Sequence, residues 1–124
     1  MDLTYTHLRY LVAIYCLNQK QTEVSSLDIA GFLGVKKASV SRMTPILMKK
    51  NLLVKERYGK IYLTGQGYLL AKRMVQQIDQ LSAAIGSVLV LPETEARIAA
   101  CAAACALMEY EQPNLFQENK PYDD

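Results

Sequence analysis

Residues 36–60 carry Lys36, Lys37, Arg42, Lys49, Lys50, Lys55, Arg57 and Lys60 against a single acid, Glu56. Cations at that density suit a polyanion, because each Lys or Arg that meets a phosphate releases condensed counterions. The side chains differ in what they can do. Arg42 is long and forked, able to hydrogen-bond a guanine edge through two N–H groups, whereas Lys36, Lys37 and Lys49 act as point charges that hold phosphate without reading sequence. Ala38, Ser39 and Ser41 stand among them and are small enough to let a helix approach base edges closely. Arg57, Tyr58 and Lys60 form a second basic group around Gly59. Any one of these lysines also suits an ordinary solvated face; it is the set, in this order, that points to nucleic acid.

The elements that would position these groups are legible from periodicity. Leu8, Leu11, Val12 and Tyr15 recur at helical spacing and predict a first helix over residues 4–19. Ser25 with Asp28 three residues later has the form of a capping box ahead of Leu27, Ile29, Ala30 and Leu33, and Gly34 ends that short helix. Gly34, Val35 and Lys36 turn into a third helical pattern with Val40, Met43 and Leu47 on one stripe. At about 100° per residue its opposite face holds Ala38, Ser41, Arg42, Pro45 and Lys49. Pro45 removes the bond to the Ser41 carbonyl and predicts a kink, leaving residues 37–44 to do most of the reading. From Leu52 to Tyr62 the period changes to that of a hairpin, with residues 57–60 at its tip. Leu69, Leu70, Met74, Ile78 and Leu81 predict a long helix over residues 66–84. Pro92, followed by Glu93 and Glu95, opens a last helix to about Tyr110. The acidic residues 111–124 are expected to be partly disordered.

Length and composition restrict the remaining classes. A chain of 124 residues with 51% apolar content can build one core or a compact domain with an extension. Its net charge of +2 hides a split. Residues 1–75 hold twelve basic and four acidic side chains, net +8, and residues 76–124 hold two basic and eight acidic, net −6. No run is long and apolar enough to span a bilayer, so a cytoplasmic protein is the expectation. Cys16, Cys101 and Cys105 are an odd number inside helical patterns and imply no disulfide framework. One histidine, His7, and the lack of a Gly-rich phosphate loop, a nucleophile turn or paired carboxylates in an apolar setting argue against an enzyme.

Helix, helix, tight turn, basic helix and hairpin is the order of a winged helix-turn-helix. The stretches Tyr10-Leu-Val-Ala-Ile-Tyr15, Ser26-Leu-Asp-Ile-Ala30, Leu33-Gly-Val35, Ser39-Val-Ser41, Asn51-Leu-Leu-Val54 and Leu63-Thr-Gly-Gln-Gly67 resemble the DtxR/MntR family, the diphtheria-toxin-repressor and manganese-transport-regulator proteins. The resemblance covers about the first 75 residues. It implies a homodimeric repressor on a palindromic operator of double-stranded DNA, dimerised through the helices after the wing. It also implies Mn or Fe as cofactor, held by two carboxylates in the first helix, a His in the long helix, and a Glu-x-x-Glu-His in the next. On this chain those positions fall at Arg9 and Val12, at or next to Ile78 with Asp79 adjacent, and near Cys101 to Cys105. The resemblance therefore brings no ligand set with it.

Cys101 and Cys105, four residues apart on one helical face, could join Cys16 or His7 in a soft Zn²⁺ or Cu⁺ site or a redox sensor. The surrounding alanines favour close helix packing instead, in which Cys acts as a small hydrophobe. The fold expected is mainly α: a winged helix-turn-helix of three helices and a two-stranded wing over residues 1–75, a helical dimerisation region over 76–110, and the tail. The function expected is sequence-specific transcriptional regulation. The competing reading is a winged-helix module whose basic face docks an acidic protein and never reads DNA.

Overall fold

A computed structural model describes residues 3–110, and the tail predicted over 111–124 lies outside them. The elements run α1 (Tyr5–Asn18), α2 (Ser26–Leu33), α3 (Lys37–Lys49), β1 (Leu53–Lys55), β2 (Ile61–Leu63), α4 (Gly65–Leu89) and α5 (Glu93–Tyr110). They cluster into two compact units that divide within α4, one of residues 6–73 and one of residues 3–5 with 74–110.

In the first unit the core gathers Leu8, Leu11, Ile14, Val24, Ile29, Val40, Leu47, Leu52 and Ile61, all buried. The apolar stripe of α1 is wider than its spacing suggested, taking in Tyr10, Ala13 and Ile14 as well. The capping box of α2 is complete. Asp28 N–H donates to Ser25 Oγ at 3.2 Å, and Ser25 N–H donates to Asp28 Oδ2 at 2.9 Å. The helix ends at Gly34, whose φ of 70° suits a residue without Cβ. Leu27 is 65% exposed, because a helix of eight residues has room for only a narrow apolar buried stripe, here Ile29 and Ala30.

Helix α3 packs against α2 and β1 through Val40, Thr44 and Leu47. The chain stays helical through Pro45, and the neighbouring Thr44 hydroxyl donates to the Val40 carbonyl at 2.8 Å. A Schellman motif closes α3. Asn51 takes φ 61°, its N–H donates to Met48 O at 2.9 Å, and Leu52 N–H donates to Leu47 O at 3.0 Å. The hairpin follows at once, antiparallel, with Leu53 opposite Leu63 and Lys55 opposite Ile61. Its edge is completed by the α1–α2 connection, since Ile61 N–H donates to Val24 O at 2.8 Å.

Thr64 starts α4, accepting from Gly67 N–H at 3.0 Å while its own hydroxyl donates to Asn51 O at 2.8 Å. Gly67 is required here. A Cβ at that position would lie 2.0 Å from the Leu52 carbonyl oxygen. The Tyr68 ring lies 5.5 Å from that of Tyr15 of α1, tilted by 39°, with Lys72 Nζ 6.0 Å from the Tyr68 ring centre. Leu69, expected to be buried, is 63% exposed; the core side of this turn is taken by Leu70 and Ala71.

In the second unit α4 runs five residues beyond the predicted end at Ala84, to Leu89, because Gly86 stays helical and the chain leaves the helix only at Val90. Val90 takes φ 54° and Leu91 N–H donates to Gly86 O at 3.3 Å, which closes the helix without a glycine. α5 then returns alongside. A Cβ at Gly86 would meet the Ala96 methyl at 3.5 Å, and Arg97 Nη1 donates to Asp79 Oδ1 at 3.0 Å. Ala96, Ala100, Ala104 and Met108, spaced by four, are buried along one stripe of α5.

Candidate nucleic-acid interface

α3 is anchored by Val40, Thr44 and Leu47, so its other side must face solvent. Ala38, Ser41, Arg42, Pro45 and Lys49 are all exposed there, as are Lys36 and Lys37 at the start of the helix, while Ser39 is half-buried. The exposed strip is thus small side chains and Pro at its centre with cations among and beside them. Such a surface can approach a polar groove without steric obstruction. Arg42 also lies close enough to Tyr10 of α1 for its charge to act on the phenol. Burial raises the Tyr10 pKa, and the Arg9 and Arg42 guanidiniums oppose that rise.

The wing presents Arg57 and Tyr58 to solvent, Tyr58 at 87% exposure. The tip is held by a tight turn, with Glu56 N–H donating to Lys60 O at 2.7 Å and Gly59 at φ 89°. Lys60 differs from its neighbours in having a partner. Its Nζ lies 2.7 Å from Glu23 Oε2, and this contact holds the ammonium pKa above its usual value. With the Val24–Ile61 backbone bond beside it, the pair fastens the wing to the α1–α2 connection. Glu23 was not among the expected functional residues. Its tie to Lys60 is a long-range contact that no local sequence pattern announces.

The second basic group and the helix face therefore belong to the same compact unit, residues 6–73, with α3 joined to the wing through the Schellman turn and β1. Among the described residues no three His, Cys, Asp or Glu side chains form a group that could hold a metal ion. Cys105 is buried and Cys101 and Cys16 are half-buried. No helix among the described residues is long and apolar enough to cross a membrane.

Comparison with known proteins bears on this surface directly. Residues 2–61 match the family model described as the iron dependent repressor, N-terminal DNA binding domain. The HTH-type transcriptional regulator MntR of Shouchella clausii is 38% identical over 72 residues, and that of Bacillus subtilis is 33% identical over 72. These matches take in 58% of this chain, and the chain spans about half the length of the relatives, 50% and 51%. Both relatives are named as transcriptional regulators, in keeping with the expectation that the chain is not an enzyme. Among solved structures, T. acidophilum IdeR shares the fold at TM-score 0.72 and 20% identity, over 95% of this chain and 55% of that one. A hypothetical protein of Sulfolobus solfataricus does so at TM-score 0.61 and 18% identity, over 96% and 92%. The motifs, the winged-helix geometry and the matched domain agree: residues 2–61 match the N-terminal DNA-binding domain of the iron dependent repressors, and the chain is similar to the MntR transcriptional regulators over 72 residues.

Proposed function

We propose that this protein is a sequence-specific transcriptional regulator that binds double-stranded DNA as a homodimer on palindromic operators, acting as a repressor. The observation that carries the reading is the exposed strip of α3, where Arg42 stands among Ala38, Ser41 and Pro45 with Lys36, Lys37 and Lys49 around it. In this reading α3 enters the major groove, Arg42 reads a base edge, and the lysines hold phosphates on either side. Arg57 and Tyr58 on the wing reach the adjacent backbone or minor groove. Lys60 positions the wing through Glu23 and contributes less to phosphate binding than its charge alone suggests.

Dimerisation draws support from the second unit. Val88, Leu89 and Val90 at the α4–α5 turn and Ile98 on α5 are all exposed, more apolar surface in one short region than a solvated helix pair calls for. A two-fold dimer would set two recognition helices about 34 Å apart, one turn of DNA.

The test is selection of random-sequence duplex on the purified protein, followed by measurement of Arg42→Ala on the enriched sequence. A palindrome should be enriched. Arg42→Ala should cost about 1–3 kcal/mol and relax preference at one position in each half-site. Failure to enrich any sequence, with the basic face instead binding acidic protein, would mean that the winged helix serves as an interaction module.

A further inference from the structure

From the chemistry at the positions where the family's metal would sit, we infer that this protein binds its DNA without a metal switch, its helical unit being held in order by permanent apolar packing. The inference rests on the DNA-binding reading and adds its regulation.

Mn²⁺ and Fe²⁺ are held through carboxylate oxygen and imidazole nitrogen. In α1 the first two positions are Arg9, a cation, and Val12, an aliphatic side chain at the edge of the core. A guanidinium carries no lone pair for a metal and repels it. In the helical unit the long-helix position is Ile78, 3% exposed, and the region of the last motif holds Ala100, Ala104 and Cys105, each wholly buried. With the half-buried Cys101 of the same region, these groups offer two thiols and no carboxylate or imidazole. The carboxylate beside Ile78, that of Asp79, is already joined to Arg97 at 3.0 Å, so its charge is balanced within the protein. Among the described residues a buried oxygen of this unit, Gln77 Oε1, stands without a hydrogen-bond partner, but it is a single neutral amide. A thiolate site for a softer ion needs three or four donors, and Cys101 and Cys105 have no third His, Cys, Asp or Glu grouped with them among the described residues.

Met74 and Ile78 on α4 and the stripe Ala96, Ala100, Ala104 and Met108 on α5 are all buried. Apolar burial contributes to order at every metal concentration, whereas a ligand stabilises only as its concentration passes its dissociation constant. Where a metal-gated regulator keeps charged groups that repel one another until an ion arrives, Ile78, Ala100, Ala104 and Cys105 offer no carboxylate or imidazole to neutralise. Its occupancy on DNA then follows the amount of protein.

Two measurements on the full chain test this. The enriched duplex is titrated with protein in EDTA and again with Mn²⁺, Fe²⁺ or Zn²⁺ at saturating levels; the affinities should agree within about twofold, and tenfold tighter binding with any one ion would overturn the inference. Thermal melting of the protein alone is followed with the same ions. The midpoint should stay within about 1 °C of that in EDTA, and a rise of more than about 3 °C would reveal a site rebuilt from other donors. Because melting needs no DNA, it judges metal independence even where selection enriches nothing, an outcome that would count against the DNA reading instead.

Discussion

Gly67 and Gly31 show how differently one residue type can be used in one fold. A methyl at Gly67 would lie 2.0 Å from the Leu52 carbonyl oxygen, which belongs to backbone and cannot rotate away. At Gly31, in the middle of α2, a methyl meets nothing within 4 Å. Gly67→Ala should therefore destabilise by about 3 kcal/mol, and Gly31→Ala should stabilise by about 0.5–1 kcal/mol through lower chain entropy in the unfolded state. Urea unfolding of the two variants checks both signs. Lys60 and Arg57 make a second contrast. Both are wing cations, but Lys60 is joined to Glu23 at 2.7 Å. Arg57→Gln should flatten the salt dependence of DNA binding more than Lys60→Gln, measured as the slope of log affinity against log salt.

At the scale of elements, the caps decide where each helix stops, and they also explain what the sequence could and could not reveal. Ser25 and Asp28 announce α2 because a capping box is a local pattern with a local geometry, and the exposed strip of α3 follows from spacing alone. The long C-terminal end of α4 was hidden because its stop is Val90, a β-branched residue at φ 54°, where Gly or Asn is the usual signal. Glu23 was hidden for a different reason, since its partner is distant in sequence. Val90→Gly should relieve the left-handed strain and raise stability by about 1 kcal/mol, read from a denaturation midpoint. Asp28 supplies a pH signature for α2. Hydrogen bonds from Ser25 lower its pKa below the ordinary 3.8. A carboxyl with a depressed folded pKa stabilises the fold above its unfolded value, and that contribution fades as pH falls through the folded one. Asp28→Asn should thus lose stability at pH 7, and the gap to the parent should narrow as pH falls below the ordinary 3.8.

For the whole molecule the deciding quantity is the number of phosphates met at once, because it reports how many chains act together. The basic residues crowd into the first 75 positions and the acidic ones into the rest, so a DNA complex draws its electrostatics almost wholly from the winged-helix unit. Each neutralised phosphate contributes about −0.9 to the slope of log affinity against log salt. Lys37, exposed at the start of α3, is suited to a single such contact per chain. In a monomeric complex Lys37→Gln would shift the slope by about 0.9. In a two-fold complex the same substitution removes the contact from both half-sites and should shift it by about 1.8, with preference for each base unchanged. Titrating parent and variant on the enriched duplex from about 50 to 200 mM salt separates the two values, since several contacts already change affinity by orders of magnitude across that range. A shift near 1.8 would establish that both recognition helices engage together, whereas one near 0.9 would leave the exposed apolar residues of the α4–α5 unit to some other partner.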